Sequence, residues 1–180
     1  MRAMLKIAIT QPKAIDREAT TIGRLLAEGF DIVHLRKPDA DIDYCRGLLR
    51  QLTAEQRGKI VIHDHLALYE EFSLRGVHIN RNVTHLPDSY RGSRTRSCHS
   101  FEEVISYKPT CDYLFLSPIF DSISKSGYRS AFSHTDLQRA SDEGVIDERV
   151  IALGGVSPDK FAYLEALHFG GVAMLGAIWR

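Results

Sequence analysis

Eight short β-rich runs recur along the chain with amphipathic stretches between most of them, and this alternation is what most restricts the fold. The runs are LKIAIT (5–10), DIVHLRK (31–37), KIVIHDH (59–65), GVHIN (76–80), RTRSCH (94–99), YLFLSPI (113–119), RVIALGG (149–155) and GVAMLGAI (171–178). Strands separated by helices imply parallel neighbours, because parallel pairs need a crossover connection. Closing eight of them predicts a (β/α)8 TIM barrel, a single α/β domain over residues 1–180. The chain is short for that fold, which typically takes ~250 residues. It ends two residues after the eighth run, so the expected barrel has its final helix absent.

The intervening stretches carry helix signals. Ile22, Leu25, Leu26 and Phe30 follow the i, i+3, i+4 pattern, as do Phe101, Val104 and Ile105. Ser100 with Glu103 and Thr135 with Gln138 read as capping boxes, and Ser157-Pro158 sets a cap before a helix-compatible proline. Arg81–Ser93 is poor in such signals and predicts a short or irregular helix.

Composition narrows the function. A hydrophobic fraction of 44% over 180 residues supplies a substantial core. Lysine plus arginine (23) balance aspartate plus glutamate (23) without a basic block, which argues against nucleic acid or an anionic membrane as partner. No run approaches the ~20 apolar residues of a membrane span, and the N-terminus is too short and interrupted for a signal peptide. The expectation is a soluble, cytoplasmic protein. Cys45, Cys98 and Cys111 are odd in number and form no CxxC pair, so they are expected as reduced thiols.

Polar residues are costly in a strand buried on both faces, so they should gather where strands emerge into loops. The second run contains His34 and Arg36, the third ends His63-Asp64-His65, the fourth ends His78 and Asn80, and the fifth ends Ser97 and His99. Ser117, Ser122, Ser124 and Lys125 follow the sixth. All lie towards C-terminal strand ends, the face on which barrel enzymes build their sites. Alternation pairs His34 with Arg36, His63 with His65, and Ser97 with His99 on common faces. Gly155 in LGGV and Gly176 in LGAI lie after the seventh strand and in the eighth, where backbone N–H groups of barrel loops commonly hold a phosphate.

Taken in order, HLRK (34–37), the H-D pair (63–64), GVHI (76–79), SCHSFEE (97–103), DYLFLSPIF (112–120), SISK (122–125), VIALGGVSPD (150–159) and GVAMLGAI (171–178) resemble the thiamine-phosphate synthase and TenI-type thiazole tautomerase family. The resemblance runs nearly end to end. It implies a small-molecule thiazole phosphate as the ligand, and a homo-oligomer is compatible with it.

The two branches imply different chemistry. A synthase joins a pyrimidine methyl diphosphate to the thiazole and needs Mg2+, held by two aspartates. Asp64 matches the first, whereas Asn82 or Val83 stands at the second. The motif read as Q-x-R-x-K keeps Arg36, but Pro38 stands at its lysine, and His63 stands where asparagine is usual. A tautomerase moves a proton on a carboxythiazole phosphate and needs no metal. The resemblance then implies His99 as its acid–base group, Gly155 and Gly176 on the phosphate, and Arg36 or the Ser122-Ser124-Lys125 loop on the carboxylate, with His34, His63 and Ser97 lining the site. These departures favour the tautomerase, with the synthase as alternative. A phosphate binder without turnover, and a metal-dependent hydrolase using His63 and His65, are further readings.

Overall fold

In a computed structural model, which describes residues 3–121, 131–176 and 178–179, eight parallel strands close into a barrel in chain order. They are β1 (Leu5–Ile9), β2 (Ile32–Leu35), β3 (Ile60–Ile62), β4 (Gly76–Ile79), β5 (Ser93–Cys98), β6 (Tyr113–Leu116), β7 (Val150–Leu153) and β8 (Gly171–Met174). β8 pairs with β1 through the register Leu5↔Gly171 to Ala8↔Met174, which leaves no sheet edge. Outside run α1 (Glu18–Ala27), α2 (Ile42–Arg50), α3 (Ala54–Arg57), α4 (Ala67–Phe72), α5 (Phe101–Tyr107), α6 (His134–Asp142) and α7 (Phe161–Ala166). After β8 the described chain turns back over the barrel, where Trp179 Nε1 donates to the Ile9 carbonyl at 2.6 Å.

Alternation along the strands sorts the side chains. Ile22, Leu25, Val33, Leu35, Leu49 and Ile62 pack between one half of the barrel and its helices, and Val104, Leu114, Leu116, Leu137, Leu164 and Val172 do so on the other. Ile7, Ile9, Ile32, Val61, Tyr113, Phe115, Ile151 and Ala173 fill the interior. Cys45, Cys98 and Cys111 are free and buried. Among the described residues no helix is long and apolar enough to cross a membrane.

Several elements depart from the sequence-based expectation. The strands are shorter than the apolar runs, because pairing stops where polar residues begin; β3 ends at Ile62, three residues before His65. α6 starts at a Ser133–Asp136 capping box, not at Thr135–Gln138, since the Ser133 hydroxyl and Asp136 carboxylate satisfy each other's backbone N–H. Ser157 precedes a short 3-10 turn, Pro158–Lys160, that leads into α7. Arg81–Ser93 contains no helix; Asn80 instead folds its start, its Oδ1 accepting from the N–H groups of Asn82 and Val83. Ile105, expected on the apolar stripe of α5, is 59% exposed, because at seven residues the helix buries only Val104.

Candidate active site

Arg36, Asp64, His99 and the loops after β6, β7 and β8 share the C-terminal face of the barrel. His99 follows β5 directly and is tethered twice. Its backbone N–H donates to Glu103 Oε2 at 2.6 Å, while Ser100 caps α5 by accepting from the Glu103 N–H at 3.2 Å. Its ring Nδ1 lies 3.0 Å from the Ser117 carbonyl oxygen, which can only accept, so Nδ1 carries the hydrogen. Nε2 is then the ring's basic nitrogen, on an exposed residue. An imidazole fixed in tautomer and orientation by a carbonyl is a competent proton carrier.

Ser97, expected on the same face as His99, points elsewhere. β5 ends at Cys98, so alternation no longer governs His99, and the Ser97 hydroxyl faces His78 Nε2 at 3.1 Å inside the barrel. His63 and His65 are separated for the same reason. His65 adopts a left-handed φ of 58° and its Nε2 donates to the Ala40 carbonyl at 2.9 Å, whereas His63 stays buried in the barrel. The strand-face pair expected for a hydrolase is therefore not formed.

His34 is fully buried, with Nδ1 2.8 Å from His63 Nε2 and Nε2 2.6 Å from the Tyr113 hydroxyl. His78 stacks on His63 with ring centroids 4.1 Å apart and bonds Thr95 through Nδ1. Burial is the main cause that holds all three imidazoles below their ordinary pKa, with His78 lowered to about 3. The positive charge of Arg36 adds to this at His63 and His78. These rings form a neutral, mutually bonded floor beneath the mouth. Tyr113 and Thr95 belong to that floor although no sequence pattern marked them. The hydrogen bond from Tyr113 spans 79 residues of chain.

Arg36 is half-buried, and its side chain makes no hydrogen bond or ion pair to a described residue. Its neighbour Lys37 faces outward, where Nζ meets the Glu18 carboxylate at 2.6 Å and both side chains are buried. Lys37 is therefore spent on structure.

Along the ends of β2, β3 and β4 runs a groove of about 390 Å³ lined by Pro38, Asp64, His65, Asn82 and His85 among others. Asp64 Oδ1 accepts from the Asn82 amide at 3.0 Å, and Val83 is buried in the core. Asp64 thus faces an amide in place of a second carboxylate. This donor set fits Mg2+ only in part, since the ion commonly takes one or two carboxylates and completes its shell with water and phosphate.

Beyond the mouth, Gly154 and Gly155 have φ of 96° and 63°. A Cβ on Gly154 would stand 2.8 Å from Pro118 Cα, and one on Gly155 would stand 2.3 Å from the Asp121 carbonyl. The N–H of Phe120 bonds the Gly154 carbonyl at 3.0 Å. Close packing of two loops therefore explains this glycine pair. The N–H groups of Gly155 and Gly176 have no backbone acceptor among the described residues. Ser122, Ser124 and Lys125 lie outside the described residues.

A family model described as thiamine monophosphate synthase matches residues 7–178. The chain belongs to this family. A thiamine phosphate pyrophosphorylase from Bacteroides thetaiotaomicron is 37% identical, with a TM-score of 0.89 over 98% of this chain and 85% of that one. The thiamine-phosphate synthases of Actinobacillus succinogenes and Mannheimia succiniciproducens are 27% and 24% identical over 76% and 71% of this chain. These matches take in 62% and 61% of those two proteins, so the chain spans less than two thirds of their length. Membership of the thiamine monophosphate synthase family agrees with the resemblance read from the sequence, and the closed barrel agrees with the expected (β/α)8 fold.

Proposed function

We propose that this member of the thiamine monophosphate synthase family is a thiamine-biosynthetic enzyme acting on a thiazole phosphate, and that its reaction is the proton shift of a thiazole tautomerase. The observation that carries this reading is His99, whose Nδ1 hydrogen is committed to the Ser117 carbonyl, leaving Nε2 to take and return a proton. The base removes a proton at one ring position of the non-aromatic tautomer and redelivers it at another. No electron pair leaves the substrate and no metal is needed. Arg36 supplies a cation for the substrate carboxylate, and the N–H groups of Gly155 and Gly176 supply donors for its phosphate. Ser122, Ser124 and Lys125 complete the anion-binding set.

A second reading is a Mg2+-dependent thiamine-phosphate synthase, favoured by the relatives being thiamine-phosphate synthases, including the solved pyrophosphorylase at 37% identity. Asp64 would hold the ion, which would carry the charge of the departing diphosphate. The amide of Asn82 beside it weighs against this reading.

The deciding experiment follows conversion of the non-aromatic carboxythiazole phosphate to its aromatic isomer, with chelator present. Acceleration over background that disappears in His99→Ala supports the tautomerase. Absence of acceleration, together with Mg2+-dependent thiamine phosphate formation, replaces it with the synthase.

A further inference from the structure

The histidines beneath the mouth have a second capacity. One ligand-capable nitrogen from each of His34, His63 and His78 can be chosen so that all lie within 4.8 Å of one another, and all three residues are buried. His34 lies on β2 and His78 on β4, and His63 directly follows the end of β3, where its N–H still donates to the Leu35 carbonyl of β2 at 3.1 Å. Three imidazole nitrogens are the ligand count of an open tetrahedral zinc site, which leaves a fourth position for water or a ligand atom.

The surroundings fit as well. A metal-bound imidazole donates its other N–H to an outer partner, which fixes the tautomer. His34 Nε2 has the Tyr113 hydroxyl at 2.6 Å, and His78 has Thr95 at 2.9 Å and Ser97 at 3.1 Å. Whichever nitrogen of His78 turned to a metal, the other would keep a hydroxyl.

At present His34 Nδ1 and His63 Nε2 share a hydrogen across 2.8 Å. A tetrahedral ion with M–N bonds of about 2.0–2.1 Å holds its nitrogens roughly 3.3 Å apart. The pair must therefore open by about half an ångström, and the shared hydrogen must move to the far nitrogen of its own ring. His78, stacked on His63 at an interplanar angle of 13°, must swing out of the stack to aim a nitrogen at the same point. Neutral imidazoles bind without losing a proton. Nitrogen ligands select against Mg2+ and Ca2+, which need oxygen.

We propose that His34, His63 and His78 form a site for a transition-metal dication of the zinc class inside the barrel, distinct from any Mg2+ held at Asp64. The site stands independently of which reaction the mouth performs. It differs from the ligand pair offered by sequence, because His65 is turned to Ala40.

The test is Co2+ titration of the full chain after chelator treatment, read by visible absorption and competed with Zn2+. The expected result is one Co2+ per chain with tetrahedral ligand-field bands, displacement by Zn2+, and a raised unfolding midpoint. His34→Gln and His63→Asn, which keep a hydrogen-bonding group of similar volume, should weaken binding by about a hundredfold or more, and Tyr113→Phe by about tenfold. His65→Ala and His85→Ala, on the groove, should leave it unchanged. The proposal is overturned if the wild-type chain shows no saturable binding, if binding survives in folded His34→Gln and His63→Asn, or if the groove variants abolish it. The wild-type titration decides the first outcome even where a variant does not fold.

Discussion

The Lys37 ammonium lies 2.6 Å from the Glu18 carboxylate, and each side chain is only 1% exposed. Lys37 also donates to the carbonyls of Gln11 and Lys13, and Tyr44 donates to the second Glu18 oxygen at 2.9 Å. One cation thereby fastens the β1–α1 loop and the start of α1 to the end of β2. Removing one partner strands a buried charge, which typically costs about 3 to 5 kcal/mol. Lys37→Ala should lower the unfolding midpoint sharply, while KM measured well below that midpoint stays near wild type. A large rise in KM in a stable protein would instead place Lys37 at the ligand.

His99→Ala should keep the fold and reduce kcat by about a hundredfold to ten-thousandfold, the usual contribution of a general acid–base group. Circular dichroism checks the fold and single-turnover rates check the chemistry. Ser100 and Glu103 are left in place, so the α5 cap survives the substitution. A near wild-type rate would remove His99 from the reaction.

The barrel and the position of His99 were legible because both rest on local pattern: eight apolar runs, and a serine cap with a glutamate three residues on. Face assignments failed where residues lay past the strand end. His65 takes a left-handed turn and Ser97 parts from His99, because ladder pairing no longer holds the backbone extended there. The histidine floor was illegible for another reason. Its bonds join His34 on β2 to Tyr113 on β6 across the barrel interior, a contact that only closure creates, and His78 to Thr95 through the β4–β5 register, which no local pattern specifies.

Arg36→Ala should raise KM by about tenfold to a hundredfold, as expected for a charge-assisted hydrogen bond worth about 1.5–3 kcal/mol, with a smaller effect on kcat. Steady-state kinetics with the carboxylated substrate and a decarboxylated analogue separates the two anions. If Arg36 holds the carboxylate, the analogue should lose the distinction between wild type and variant. Equal sensitivity with both substrates would move Arg36 to the phosphate.

Metal-free protein should lose stability on acidification from about pH 6.5. The imidazoles of His34, His63 and His78 have an ordinary value of 6.5 in the unfolded chain and lower values when folded, chiefly through burial. Charges on Arg36, Arg75 and Arg96 push in the same direction. Below 6.5 the unfolded state binds protons that the folded state refuses, so stability is present above that pH and falls as pH drops towards the folded values. Each histidine contributes at most about 1.4 kcal/mol per pH unit. Denaturant midpoints at pH 7.5 and 5.5 should differ strongly in wild type and less in His63→Asn. Equal slopes would show that the ring titrates alike in both states.

Asn82→Asp tests what separates the two candidate chemistries. The Asn82 amide lies 3.0 Å from Asp64 Oδ1, so a carboxylate there would face another carboxylate across a hydrogen-bond distance. Two like charges that close repel, and one of the pair must hold a proton or accept a cation. Without metal the variant should therefore melt below wild type, and millimolar Mg2+ should recover the loss because the ion takes oxygen ligands and neutralises both groups. Wild type, with one carboxylate and an amide donor, should respond far less. Calorimetry with and without MgCl2 measures this directly. A wild-type response as large as the variant's would show that Asp64 binds the ion without a second carboxylate, and would turn the balance towards the synthase.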